Sequence, residues 1–129
     1  MRPLHLIMLL AVLALPASAG MQAGPTARLA DRLAAEPGMP RIAVVHPRTM
    51  AGRAQRDALM RALRARGLGV VAVASHAGHP AAALGHLGPA APEIVVSIGD
   101  LRMARAVLRG MGDRPGLTVT RLPPGPQPR

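Results

Sequence analysis

Short apolar runs alternate along this chain with longer segments that are apolar on one side only. Arg41-Ile-Ala-Val-Val-His46, Gly69-Val-Val-Ala-Val-Ala-Ser75 and Glu93-Ile-Val-Val-Ser-Ile98 are nearly continuous in Val, Ile and Ala, and Leu117-Thr-Val-Thr120 is a shorter run. Runs of this kind predict strands buried on both faces, as in a parallel sheet. Between them the period becomes helical. From Thr49 to Arg66, Gly52, Leu59, Ala62 and Leu63 share one side, while Arg53, Arg56, Asp57, Arg61 and Arg64 fill the opposite arc and Gly67 closes the helix. Pro80 to Leu87 predicts a short helix stopped by Gly88-Pro89. Gly99-Asp100 opens another, with Ala104, Val107, Leu108 and Met111 inward, Arg102, Arg105 and Arg109 toward water, and Gly112 at its end. Ahead of the first strand, Thr26 to Glu36 predicts an amphipathic helix capped by Thr26, with Leu29 and Leu33 on one face and Pro37-Gly38 as its stop.

Strand and helix thus alternate from the first strand to the fourth, which argues for right-handed crossovers and helices on both faces of a sheet. The expected fold class is α/β: a small three-layer, Rossmann-like sandwich with a mainly parallel four-stranded sheet in the order 2-1-3-4. The chain divides into an export segment at 1–19, an N-terminal helix and linker at 20–40, the α/β domain at 41–121 and a Pro-rich tail at 122–129.

The export segment changes the picture most. Arg2 precedes an apolar run from Leu4 to Leu15, then Pro16 and Ala17-Ser18-Ala19, the pattern of a secretory signal peptide cleaved after Ala19. The run is shorter than the ~20 residues a spanning helix needs, so the product is expected to be periplasmic or secreted and not membrane-spanning after cleavage. The chain has no Cys, Phe, Tyr or Trp, which excludes disulfides, thiolate catalysis, Cys-based metal centres and aromatic stacking platforms. Its 16 basic residues, all arginine, against 6 acids give a net charge of +10. In an exported chain without aromatics or lysine this is read as a solvated surface, with anionic envelope lipid or an acidic protein as targets and no nucleic-acid partner. A four-stranded sheet also leaves an edge that a second copy or another protein could cover.

In open α/β sheets, ligands bind at the carboxyl ends of the strands, where the strand order reverses. Those ends read His46-Pro47-Arg48-Thr49, Ser75-His76-Ala77-Gly78-His79 and Ser97-Ile98-Gly99-Asp100. His46, His76 and His79, with Asp100, offer imidazole and carboxylate ligands for Zn, Cu or Ni, set against the ordinary reading of loop histidines and a helix-capping Asp100. Helix N-termini with Thr49, Ser97 and Arg48 could instead hold a carboxylate or phosphate. Nucleotide motifs are missing: there is no GxGxxG and no Walker lysine, and no cofactor is expected. A Ser75–His76 or Ser97–His46 couple with Asp100 lacks any G-x-S-x-G context, so the chain is not expected to be an enzyme. The spread of Met50, Met60, Met103 and Met111 fits gap-filling better than copper binding.

The segment Ala91-Pro-Glu-Ile-Val-Val-Ser-Ile-Gly-Asp-Leu-Arg-Met-Ala104 is similar to a "P-D-x-V-V-x-x-G-D-x-A" stretch, matching at Pro92, Val95, Val96, Gly99 and Asp100, with Glu93 at the acidic position and the nearest alanine, Ala104, two residues beyond the last position. Together with the strand Ile42–Val45 leading into a long helix, it makes Arg41–Pro123 resemble the first lobe of the ABC-transporter substrate-binding proteins with the type I periplasmic-binding fold. The resemblance covers about two-thirds of the chain. It implies a ligand half-cleft lined by His46, Thr49, Ser75, Gly99 and Asp100, completed by a second subunit or a partner, since closure in that family needs two lobes. It further implies a membrane permease or other envelope protein as partner, and a role as accessory of a transport system. Two alternatives remain open: a non-catalytic interaction module using the sheet edge and Arg-rich helices, and a metal carrier using His46, His76 and His79.

Overall fold

The computed structural model of the chain describes residues 24–112 and 114–125; the expected export segment and the last four residues of the tail lie outside them. The elements are α1 (Pro25–Ala34), β1 (Ile42–Pro47), α2 (Met50–Ala65), β2 (Val70–His76), α3 (Ala81–Ala90), β3 (Ile94–Ile98), α4 (Leu101–Met111) and β4 (Thr118–Leu122). The strands form one sheet in the order β2-β1-β3-β4, and every pair is parallel. This is the α/β sandwich and the strand order that the alternation predicts.

The apolar runs are continuous because successive residues serve two different cores. Ile42 and Val44 of β1, with Val96 and Ile98 of β3 and Leu122 of β4, meet Leu29, Ala30 and Leu33 of α1 and Leu59 and Leu63 of α2. Ala43 and Val45, with Val95 and Ala74, meet Ala83 and Leu87 of α3 and Met103, Val107 and Met111 of α4. Three layers result: α1 and α2, the sheet, then α3 and α4. The N-terminal helix is therefore a full member of one core.

Local details depart from the sequence reading at four points. Thr26 does not cap α1; Gly24 is the N-cap, and Pro25 takes the first turn, where its missing N–H costs no helical bond. α3 runs past Gly88 to Ala90 with Pro89 inside its last turn, so only the bond to the Gly85 carbonyl is lost before the chain leaves the helix. There the Arg41 guanidinium donates to the carbonyls of Ala90 and Ala91 at 2.6 and 3.3 Å, satisfying a helix end. In α4 the buried stripe is Met103, Ala104, Val107 and Met111, whereas Leu108 is 47% exposed. Finally, Leu122 belongs to β4 and is buried, so the irregular tail starts one residue later.

α2, α3 and α4 each follow a strand, so all three begin at the carboxyl edge of the sheet. β1 leads through α2 toward β2, and β3 leads through α4 toward β4 in the opposite direction. The crevice between the ends of β1 and β3 is the point of reversal.

Candidate functional site

Each wall of this crevice is set by a helix cap. At the end of β1 the Thr49 hydroxyl accepts the Gly52 N–H at 3.0 Å and starts α2. A Cβ on Gly52 would collide with the Pro47 carbonyl oxygen, so the first turn of α2 sits directly against the strand end. At the end of β3, Gly99 has φ +124°, a conformation that side chains disfavour, and donates its N–H to the Leu122 carbonyl at 2.9 Å. The chain then turns into Asp100, whose Oδ1 accepts the Met103 N–H at 2.8 Å and caps α4. The end of β2 is tied to that of β1, with the Arg48 N–H on the His76 carbonyl at 2.7 Å and Arg48 Nε on Ser75 Oγ at 3.4 Å.

These three ends enclose a cavity of about 400 Å³ lined by Pro47, Arg48, Thr49, His76, Gly99 and Asp100 among others. A second hollow of about 630 Å³ adjoins it across His76, Gly78, Asp100 and Met103, and adds His79, Arg102 and Arg109. A further cavity of about 300 Å³ lies between α1 and β4, lined by Leu29, Pro37, Pro40 and Glu93 among others. No strand-end helix starts there, so the carboxyl edge is the better candidate.

Of the residues singled out from sequence, Thr49, Gly99 and Asp100 line the crevice. His46 and Ser75 are placed elsewhere. Alternation along β1 puts His46 on the side of Ile42 and Val44, under α2, and Ser75 is its register partner. His46 is 3% exposed. Its Nε2 stands 3.4 Å from Arg56 Nη1, and its Nδ1 lies 2.9 Å from the Pro47 carbonyl oxygen. A guanidinium can only donate, so Nε2 accepts and Nδ1 carries the proton.

His76 has the opposite tautomer. It is 7% exposed, and its Nδ1 accepts the Gly78 N–H at 3.1 Å, which leaves the proton on Nε2. That Nε2 is buried with no hydrogen-bond partner. Burial first, then the neighbouring His46, holds the His76 imidazole below its ordinary 6.5, with Asp100 opposing and Arg48 adding to the shift. Burial also lowers His46, offset by its bond to Pro47 and reinforced by Arg56 and Arg53. Both rings are neutral near pH 7.

The same alternation corrects two other readings. His46 and His76 project from opposite faces of the sheet, and among the described residues no group of three or more His, Cys, Asp or Glu could hold a metal ion. The triad of His46, His76 and His79 is thus not assembled. Nor do the Ser–His couples form: Ser75 and His76 are consecutive on a strand, and Ser97 shares the face of Val95, away from His46. Ser97 Oγ is buried without a partner.

Sequence reasoning considered His76 as a metal ligand and as the partner of Ser75, and left it out of the residues lining the ligand cleft, where the structure places it in the cavity wall. The missing signal is a register shift: Ile42 pairs with Val70 but Ala43 with Ala72, so Val71 is an extra residue in β2. That insertion decides which residues of β2 sit beside which residues of β1.

Among the described residues, no helix is long and apolar enough to cross a membrane. No protein-family model matches the chain, and none of the curated proteins compared with it matches either.

Proposed function

We propose that the protein is an exported, non-catalytic α/β domain that binds a small ligand at the carboxyl ends of β1, β2 and β3, in the manner of one lobe of a transporter's substrate-binding protein. One observation carries the reading: three strand ends and two helix caps converge on a single cavity at the reversal of strand order. Open α/β sheets place ligands at such points. The size fits a small molecule, since ligand pockets typically fall between roughly 300 and 1,000 Å³. The partner under this reading is a membrane permease or another envelope protein.

The test is twofold. Calorimetric titration with a panel of small metabolites should find a ligand whose affinity falls in Arg48→Gln, at an exposed position lining the cavity, without a matching fall in thermal midpoint. Crosslinking in cells, followed by mass spectrometry of envelope fractions, should recover a membrane transport subunit. A panel without any binder and a crosslinking profile without a transport protein would together sink the proposal.

A second reading has its own observation. β2 is an edge strand without charge or proline, and Val71 and Val73 on it are 41% and 39% exposed. The other edge, β4, carries exposed Arg121 and runs into Pro123 and Pro124. Charges and prolines are the usual guards against strand pairing, and β2 has neither, its bulge at Val71 aside. Sedimentation of wild type against Val73→Lys reads this out: a dimer lost on substitution supports edge pairing, and a monomer in both removes it.

A further inference from the structure

We propose that the ligand presents a small oxyanion, a carboxylate or a phosphate group, to the carboxyl edge, where it accepts the His76 Nε2–H between the N-termini of α2 and α4. This rests on the ligand-binding reading above and names the chemistry that the site selects.

The first observation is the unpartnered donor. His76 Nδ1 is occupied by the Gly78 N–H, so its proton sits on Nε2, and Nε2 has no acceptor although His76 is 7% exposed. A buried donor left unmade is costly, and a bound acceptor recovers that loss. His76 lines both hollows of the edge. Water does not reach Nε2, so contact requires a small displacement of the wall. The exposed Ala77-Gly78-His79 loop borders both hollows.

The second observation is the sign of the surroundings. α2, α3 and α4, of 16, 10 and 11 residues, all start at this edge, and none has an acidic residue in its first turn. Unpaired N–H groups and the aligned peptide dipoles make each start electropositive. α2 is capped by a neutral hydroxyl, which leaves its first turn open to an anion. Arg48 stands beside it, and Arg102 and Arg109 line the adjoining hollow. Among the described residues Asp100 is the one acid lining either hollow, and one of its oxygens is committed to the Met103 N–H. A cation would meet three guanidinium groups and helix starts; an oxyanion meets one carboxylate and several donors.

Titration of the purified, uniformly ¹⁵N-labelled protein with inorganic phosphate and with acetate, at constant ionic strength set by NaCl, tests the inference by NMR. The expected result is a saturable shift of the His76 imidazole nitrogens, with the Met50 and Ala51 amides moving alongside. Response to phosphate alone identifies a phosphate group, response to acetate alone a carboxylate, and either outcome supports the inference. His76→Asn keeps an acceptor for the Gly78 N–H but lacks the Nε2 donor, and should weaken binding by about tenfold or more. Arg48→Gln, at an exposed position outside both cores, should weaken it too and guards against misfolding of the first variant. Undiminished binding in both variants, or no response to either anion, overturns the inference. If a neutral or cationic molecule from the metabolite panel occupies the cavity while both anions fail, the ligand-binding reading stands and the oxyanion falls. If nothing binds, both fall.

Discussion

The two buried histidines show how much one residue's contacts decide. Each imidazole is fixed in a single neutral tautomer, His46 by Arg56 and the Pro47 carbonyl, His76 by the Gly78 N–H. Both are held below the ordinary 6.5, chiefly by burial. The unfolded chain therefore takes up protons at these sites as pH falls through about 6.5, while the native state resists. Stability that is complete above neutral pH is expected to decline below 6.5. Urea midpoints at pH 7.5 and pH 5 check this, and a higher midpoint at pH 5 would contradict it. Asp57, lowered from 3.8 mainly by its bond to Arg56, acts only in the more acid range and leaves this window clear. Ser97 makes a complementary case. Its hydroxyl is buried without a partner, so Ser97→Ala should be neutral or stabilising by up to about 1 kcal/mol, measured by the same denaturation. A large loss would reveal a bond to Ser97 in solution. Chemistry of this kind was only half legible in the sequence. Asp100 announced itself as a cap by standing after Gly99 and before a periodic segment, whereas the separation of His46 from His76 depends on the bulge at Val71, which no local pattern marks.

At the scale of elements, the sequence was most legible where side chains speak for themselves. Thr49 and Asp100 begin their helices, Gly67 and Gly112 follow the ends of theirs, and the arginines of α4 lie on the outer arc, as do those of α2 apart from half-buried Arg56, which reaches His46. It was least legible where backbone approach or a competing neighbour decides. The residues of α4 nearest the sheet include Met103 and exclude Leu108, because the stripe that faces β3 is set by how the helix leaves Asp100. Gly52 is the sharper example. In an isolated helix, replacing an interior glycine by alanine gains about 0.5–1 kcal/mol. Here the added Cβ would strike the Pro47 carbonyl, and backbone at a strand end cannot step aside as a flexible side chain does. Gly52→Ala is therefore expected to destabilise by about 1–3 kcal/mol, opposite in sign to its helix propensity. It should also loosen the Thr49 wall of the crevice. Chemical denaturation reports the first effect and amide shifts at Thr49 and Met50 the second. A stabilised variant would show that α2 does not press on the strand end as described.

The whole molecule tests where its domain begins. The sequence divides an N-terminal helix and linker at 20–40 from an α/β domain at 41–121, with Pro37-Gly38 stopping the helix between them. Connection and packing are different matters. α1 carries Leu29, Ala30 and Leu33 into the same core as Ile42, Val44, Leu59, Leu63 and Leu122, and covers part of the sheet face that α2 alone leaves open. Asp31 also meets Arg66 at 2.7 Å, but that pair is exposed and contributes little. Burying one leucine side chain is worth about 1.5–3 kcal/mol, so Leu29 and Leu33 together account for several. A domain of this size has about 5–15 kcal/mol of net stability in all. A chain shortened to begin at Pro40 is thus expected to lose most of its stability, showing a broad or absent unfolding transition in calorimetry. Leu33→Ala in the full chain should give the graded version, about 2–5 kcal/mol. If the shortened chain unfolds with an unchanged midpoint, α1 is an appendage. If it does not fold, then the crevice at the carboxyl edge depends on a helix that contributes nothing to its lining. Ligand binding then requires a chain that retains α1.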